Sequence, residues 1–275
     1  MKFISLPSIR STVAQLISNA SLAFALATFT GVASSPAWAE ANLTPQQLDE
    51  EYEQNKLLDT QARDMYGLWS WRMEKKNPTN SKAYGTKTFS EYAQRIANSI
   101  SPENRRIAKH ATRIEKEYGH LSDEELEIVY PGLAKRSCLT TLRLAEAGQK
   151  DALNELFAGI VVRYVCGTLT RNSLKREAYN RTYRIAMQIV HEGKWQVAPD
   201  ILAKVHLYLA YVYSDKSMGS ARQDRDKTEY HLEKMKEAYG QACDVGDKES
   251  CRHYHNADDY IRIHLAEFDK ETGEK

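Results

Sequence analysis

The chain has 275 residues with 38 Lys and Arg against 37 Asp and Glu, a formal net charge of +1. That balance gives no electrostatic basis for binding nucleic acid. The length is enough for a full hydrophobic core, as one large or two small domains.

Lys2 and Arg10 are the only charges before Glu40, and an apolar run is densest at Leu22–Phe29. Ser35-Pro-Ala37-Trp-Ala39 then offers the small-x-small form a signal peptidase cuts after. Residues 1–39 therefore read as a secretory signal peptide. The apolar run is too short for a span of about 20 residues, so no membrane span is expected. Four cysteines lie beyond Ala39, an even number, and export places them where disulfides persist. The expected address is periplasmic or secreted, in a bacterial envelope.

Helix signals dominate the remainder. Thr44-Pro45-Gln-Gln47 is a capping box with proline at the first helical position, and the helix it opens runs to Lys76. Thr88-Phe-Ser-Glu91 caps a short helix, Ser101-Pro102 starts one that ends at Gly119, and Ser122-Asp-Glu-Glu125 opens another, stopped by Pro131-Gly132. Tyr130-Pro-Gly132 is a candidate boundary between residues 40–130 and 131–275. Beyond it, Leu139, Leu142 and Ala145 keep helical spacing, Gly148 ends the helix, and Asp151–Cys166 forms its return arm. Asn172 or Ser173 caps a helix to His191, Pro199 starts the next, and Asp226–Asp244 pairs with one continuous helix from Lys248 to about Phe268. The fold class is all-α, an array of αα-hairpins arranged like a solenoid.

Cys243 and Cys251 flank a Val245-Gly246-Asp247 turn. In one straight helix they would be about 12 Å apart along the axis, beyond disulfide reach. Across a corner they sit on facing helices, and the C-terminal hairpin is expected to be stapled. Four cysteines allow three connectivities; geometry favours Cys243–Cys251 with Cys138–Cys166. The second pair has a register problem. Straight arms around Gln149 would leave the sulfurs about 9 Å out of line, so a bend is needed near Ala158-Gly159 or the turn lies elsewhere.

Leu209-Ala-Tyr-Val-Tyr213, Asp226, Tyr230, Ala242-Cys-Asp-Val-Gly-Asp247 and Cys251 together resemble a Sel-one-like repeat, a relative of the tetratricopeptide repeats, in its cysteine-bridged secreted form. The resemblance covers about 45 residues. It implies stacked helix pairs with a concave binding face and a role in protein–protein interaction. It departs from the pattern in three ways, one being that the second cysteine pair, Cys138 and Cys166, is 28 apart. The loop after Tyr213 lacks paired glycines, and the helix ending at Cys243 is longer by more than a turn.

Neither a metal site nor catalysis is expected. His253 and His255 lie two apart on a helix, about 200° around the axis, and cannot share an ion with the cysteines. There is no nucleophile elbow, zinc-protease pair or glycine-rich phosphate loop. No cofactor and no catalytic residue follow, and murein hydrolysis is the enzyme class left to exclude. The candidate contact residues form two groups. Tyr66, Trp69 and Trp71 carry the aromatic anchor reading, against the plainer one that both tryptophans lie between helices. The basic helix Arg171–Arg184, with Arg176 and Arg181 foremost, reads as a docking surface for an acidic protein, or for a cell-wall polymer or fragment. Arg105, Lys109, Arg113 and Lys116 form a second basic face, and Tyr208, Tyr211 and Tyr230 mark the inner helices of the C-terminal hairpins.

Overall fold

The computed structural model describes residues 43–76, 82–99, 101–159, 161–214 and 223–272. The signal peptide segment lies outside these residues, as does most of the loop after Ser214. Thr44–Lys275 forms one compact unit. It is all-helical, with no strand among the described residues, and none of its helices is by itself long and apolar enough to cross a membrane.

The long helix α1 (Pro45–Lys76) is the axis of the N-terminal half. Helices α2 (Phe89–Ile96), α3 (Pro102–Tyr118) and α4 (Asp123–Glu146) pack around it. Their starts are set by side chains that satisfy otherwise unpaired N–H groups. Thr44 and Gln47 close a reciprocal capping box, as do Ser122 and Glu125; Thr88 Oγ1 accepts from Glu91 N and Ser101 Oγ from Asn104 N.

Helices α1 and α4 run antiparallel. Asn55 Nδ2 donates to Thr141 Oγ1 at 2.7 Å, Tyr66 meets Tyr130 edge-on at 5.3 Å, and Arg72 Nη1 reaches Asp123 Oδ1 at 3.1 Å. In each pair, as one residue number rises the other falls. This pairing overrides the stop expected at Pro131: α4 continues through it. An internal proline costs about 3 kcal/mol. Here that is offset by burial on both sides, with Leu126, Tyr130, Ala134 and Cys138 at most 1 % exposed. Two core clusters meet at this level, one reaching back to Met65 and the other on to Tyr213, and Tyr66 and Leu133 pack against both.

After Gly148, in the left-handed region at φ +83°, the chain turns into α5 (Lys150–Phe157), capped by Gln149 Oε1 accepting from Ala152 N at 2.6 Å. A second left-handed glycine, Gly159 at φ +79°, precedes a π-helical segment, Val161–Leu169, inclined 75° to α5. The return arm is thus not one straight helix. That bend removes the register mismatch, and Cys138 and Cys166, both fully buried, are bridged with Cα atoms 5.3 Å apart.

Helix α6 (Lys175–Met187) starts later than the expected Asn172 or Ser173 cap. Arg171 and Asn172 both adopt left-handed backbone, at φ +53° and +63°, and Leu174 holds the cap position with no side-chain bond. A π turn, Gln188–Glu192, extends it to Gly193. Helix α7 (Pro199–Ser214) and helix α8 (Arg225–Asp244) form an antiparallel hairpin, and Asp224 N donates back to Tyr213 O at 3.0 Å. Cys243 and Cys251 are bridged across the corner to α9 (Lys248–His255), which Asp247 caps as expected.

The single C-terminal helix expected from sequence is two. Asn256 turns its side chain to Arg252 O at 2.9 Å and leaves helical geometry, and α10 (Ala257–Thr272) begins after it. A short amide side chain that competes for backbone groups ends helices in this way.

Candidate docking site and the buried charge network

Of the aromatic candidates, Trp71 is buried and Tyr66 and Trp69 are half-buried. Trp71 is 7 % exposed. Its Nε1 donates to Thr86 Oγ1 at 3.0 Å, and its ring packs on Phe89 at 5.6 Å. Trp69 stands 200° round the helix and meets a different neighbour, Tyr130, at 5.5 Å. Tyr66 completes that group, 6.0 Å from Trp69 and 6.0 Å from Tyr164. Trp71 is buried between helices, as the plainer reading has it, whereas Trp69 is only half-buried against Tyr130. An anchor must present its ring to a partner, and Trp71 does not. It borders a groove of about 510 Å³ with Leu68, Arg72, Lys75 and Asp123. There Arg72 is committed to the end of α3, donating to Gly119 O and Leu121 O.

The second basic face, Arg105, Lys109, Arg113 and Lys116, is exposed, but Arg113 reaches in to a buried partner. Arg113 Nη2 reaches Asp64 Oδ2 at 2.5 Å and its Nη1 reaches Glu117 at 2.8 Å. Asp64 is fully buried on α1 and also takes Arg106 Nη1 at 2.6 Å. Arg106 holds Glu103, Glu103 holds Arg63, and Arg63 Nε lies 2.8 Å from Asp59. The chain of alternating charge thus stitches α1 to α3. Sequence spacing shows the basic side of this network but not Asp64, which sits among acidic and basic residues on a helix with no clean apolar stripe.

Beyond its end, Tyr52 hydrogen-bonds Glu155 from α5. Burial holds the Asp59 and Glu155 carboxyls above the usual carboxylate range, opposed by Arg63 at Asp59 and by the Tyr52 hydroxyl at Glu155. Both acids are already engaged, as a structural network requires.

Helix α6 divides the remaining candidates. Arg181 is tied down. Its Nε and Nη2 reach the two oxygens of Glu146 at 2.8 and 2.6 Å, a bidentate pair, and its side chain is 17 % exposed. Arg171 pairs with Glu127 at 2.6 Å and stands 6.0 Å from the Trp69 ring. Lys175 lies over Tyr179. Arg176 and Arg184 are exposed and have no acidic partner among the described residues. With exposed Asn180 between them they line one edge of α6, about 12 Å long at 1.5 Å per residue. The inner-helix tyrosines are split: Tyr208 is buried and donates to Tyr179 O, Tyr211 bonds Tyr260 at 2.6 Å, and Tyr230 is 51 % exposed.

Comparison of the chain with protein-family models, with curated proteins and with solved structures finds no match.

Proposed function

We propose that this chain is an exported, non-catalytic helical scaffold of the bacterial cell envelope that docks an acidic protein partner through the outer edge of α6. One observation carries the reading: Arg176 and Arg184 present two exposed guanidinium groups with no acidic partner among the described residues, from a helix whose other arginine, Arg181, is pinned by Glu146. Exposed arginines held on a rigid element steer association and bind carboxylates bidentately. Two buried or half-buried disulfides support the export half of the proposal, because such bonds persist in oxidising compartments. The α7–α8 hairpin with the stapled α8–α9 corner is the part that resembles a Sel-one-like repeat, and a helix-pair scaffold fits an interaction role.

The test combines a crosslinking pull-down of the mature chain from its own envelope with binding of Arg176→Glu and Arg184→Glu to the captured protein. Slower association, with an effect that fades as salt rises, supports the proposal. Unchanged association at low salt contradicts it. Retention on isolated murein in place of protein capture would support the cell-wall fragment alternative.

The hydrolase alternative rests on Asp59 and Glu155, two carboxyls kept above their ordinary range by burial. It requires release of soluble murein fragments that Glu155→Gln abolishes in a folded protein.

A further inference from the structure

His206 on α7 and His231 on α8 face each other across the hairpin. Their Nδ1 atoms are 3.0 Å apart, and the residues are 6 % and 3 % exposed. At that separation one ring donates its Nδ1–H and the other accepts on a bare Nδ1, an arrangement that two neutral imidazoles satisfy.

A first proton can go to the open Nε2 of the donor ring, which keeps the bond but buries a charge. A second must take the accepting Nδ1. That ends the hydrogen bond and leaves two like charges 3.0 Å apart.

The surroundings do little to neutralise them. From α7, Tyr213 stacks parallel on His231 at 5.6 Å. From α8 come Tyr230, edge-on at 5.1 Å, with Lys227, Lys234 and Glu237. From α6 and the turn after it come Tyr183, whose hydroxyl meets that of Tyr213 at 3.2 Å, and His191. Lys227 is paired with Asp224 at 2.9 Å and Lys234 with Glu237 at 2.6 Å, so both carboxylates are engaged by lysines and a third histidine stands nearby.

We propose that the His206–His231 pair is an acid-sensitive latch: neutral, it closes α7 onto α8; doubly protonated, it releases the stapled α8–α10 segment from α7. The pair works in this direction because burial first, then the neighbouring positive charge, pushes both rings down to about 4, while an unfolded histidine takes its proton near 6.5. The stability the pair supplies is therefore complete above about pH 6.5 and is lost as pH falls toward 4. Release would change which surface the C-terminal helices present, a switch available to a protein outside the buffered cytoplasm.

The experiment is amide hydrogen exchange on the mature chain at about pH 7 and about pH 4.5, corrected for intrinsic rates, on wild type and on His206→Gln combined with His231→Gln. Wild-type α7 and α8 should lose more than about tenfold protection on acidification while α1 and α4 keep theirs, and the double variant should lose the acid step. Acid-independent protection in α7 and α8, or an equal loss in wild type and variant, overturns the proposal. Nitrogen-15 spectra of the wild-type imidazoles keep it testable if the variant does not fold. Both rings titrating well below 6.5, together with the loss of α7–α8 protection, support the latch. Titration near 6.5 sinks it.

Discussion

Asp64 is the residue on which the N-terminal helices most depend. It is a fully buried carboxylate holding Arg106 and Arg113 across the α1–α3 interface. Removing one partner of a buried ion pair costs about 3–5 kcal/mol, because the other charge is left uncompensated. Asp64→Ala is therefore expected to lose about 3 kcal/mol in urea denaturation, whereas Arg113→Ala, at a side chain 46 % exposed, should lose less than about 1. Equal losses would mean the carboxylate is not the hub.

Glu155 makes the opposite prediction. Burial raises its folded pKa above the unfolded value of 4.5 against the lowering by Tyr52. Such a carboxyl adds stability as the neutral acid at low pH and loses it as pH rises through the folded pKa. Glu155→Gln, which can still accept from Tyr52, should be more stable than the parent at neutral pH, with the gap closing toward about pH 4. A less stable variant at neutral pH would show that the Tyr52 bond to the carboxylate outweighs burial. Neither residue was legible as special in the sequence. Carboxylates are abundant along α1 and α5, and only the packing of a second helix decides which are dry.

At the scale of elements, starts were legible and continuity was not. Thr44, Thr88, Ser101, Ser122 and Asp247 each signal a helix by chemistry contained within three or four residues, and each caps one. Pro131 and Asn256 mislead in opposite senses. The first is carried through because α1 buries both flanks of α4; the second breaks a helix because its own side chain captures a backbone carbonyl. Both outcomes depend on the competition between local and tertiary bonds, which spacing alone does not settle.

The two disulfides follow the same division. The Cys243–Cys251 corner was legible from a short turn motif, while Cys138–Cys166 needed the bend at Gly159. Their burial differs, Cys138 and Cys166 at 0 % against half-buried Cys243 and Cys251. Thiol–disulfide exchange requires access to a sulfur. Under native conditions a small thiol should reduce Cys243–Cys251 first and leave Cys138–Cys166 until the chain unfolds, as read by timed alkylation and peptide mass. Simultaneous reduction would contradict the burial order. In the chain-entropy model the inner bridge closes the longer loop and contributes about 3.5 kcal/mol against about 2.5 for the corner.

Across the whole molecule, the residues that hold the fold differ from those proposed to meet a partner. Trp71 and Arg181 are spent inside, on Thr86 and Glu146, and half-exposed Arg113 is held by Asp64. Sequence alone placed Arg176 and Arg181 together on a basic helix. It could not divide them, because the division is made by Glu146, 35 residues earlier in the chain.

The most direct measurement installs a photo-activated crosslinking side chain at Asn180, at the centre of the exposed edge, and at Ile263 on α10 as an exposed control. After illumination in the native envelope, the account predicts a discrete protein adduct from position 180. That adduct should be lost when Arg176→Glu and Arg184→Glu are added to a chain that still folds, and should weaken with salt. No adduct at 180, or one indifferent to both charge reversals, would contradict docking through α6.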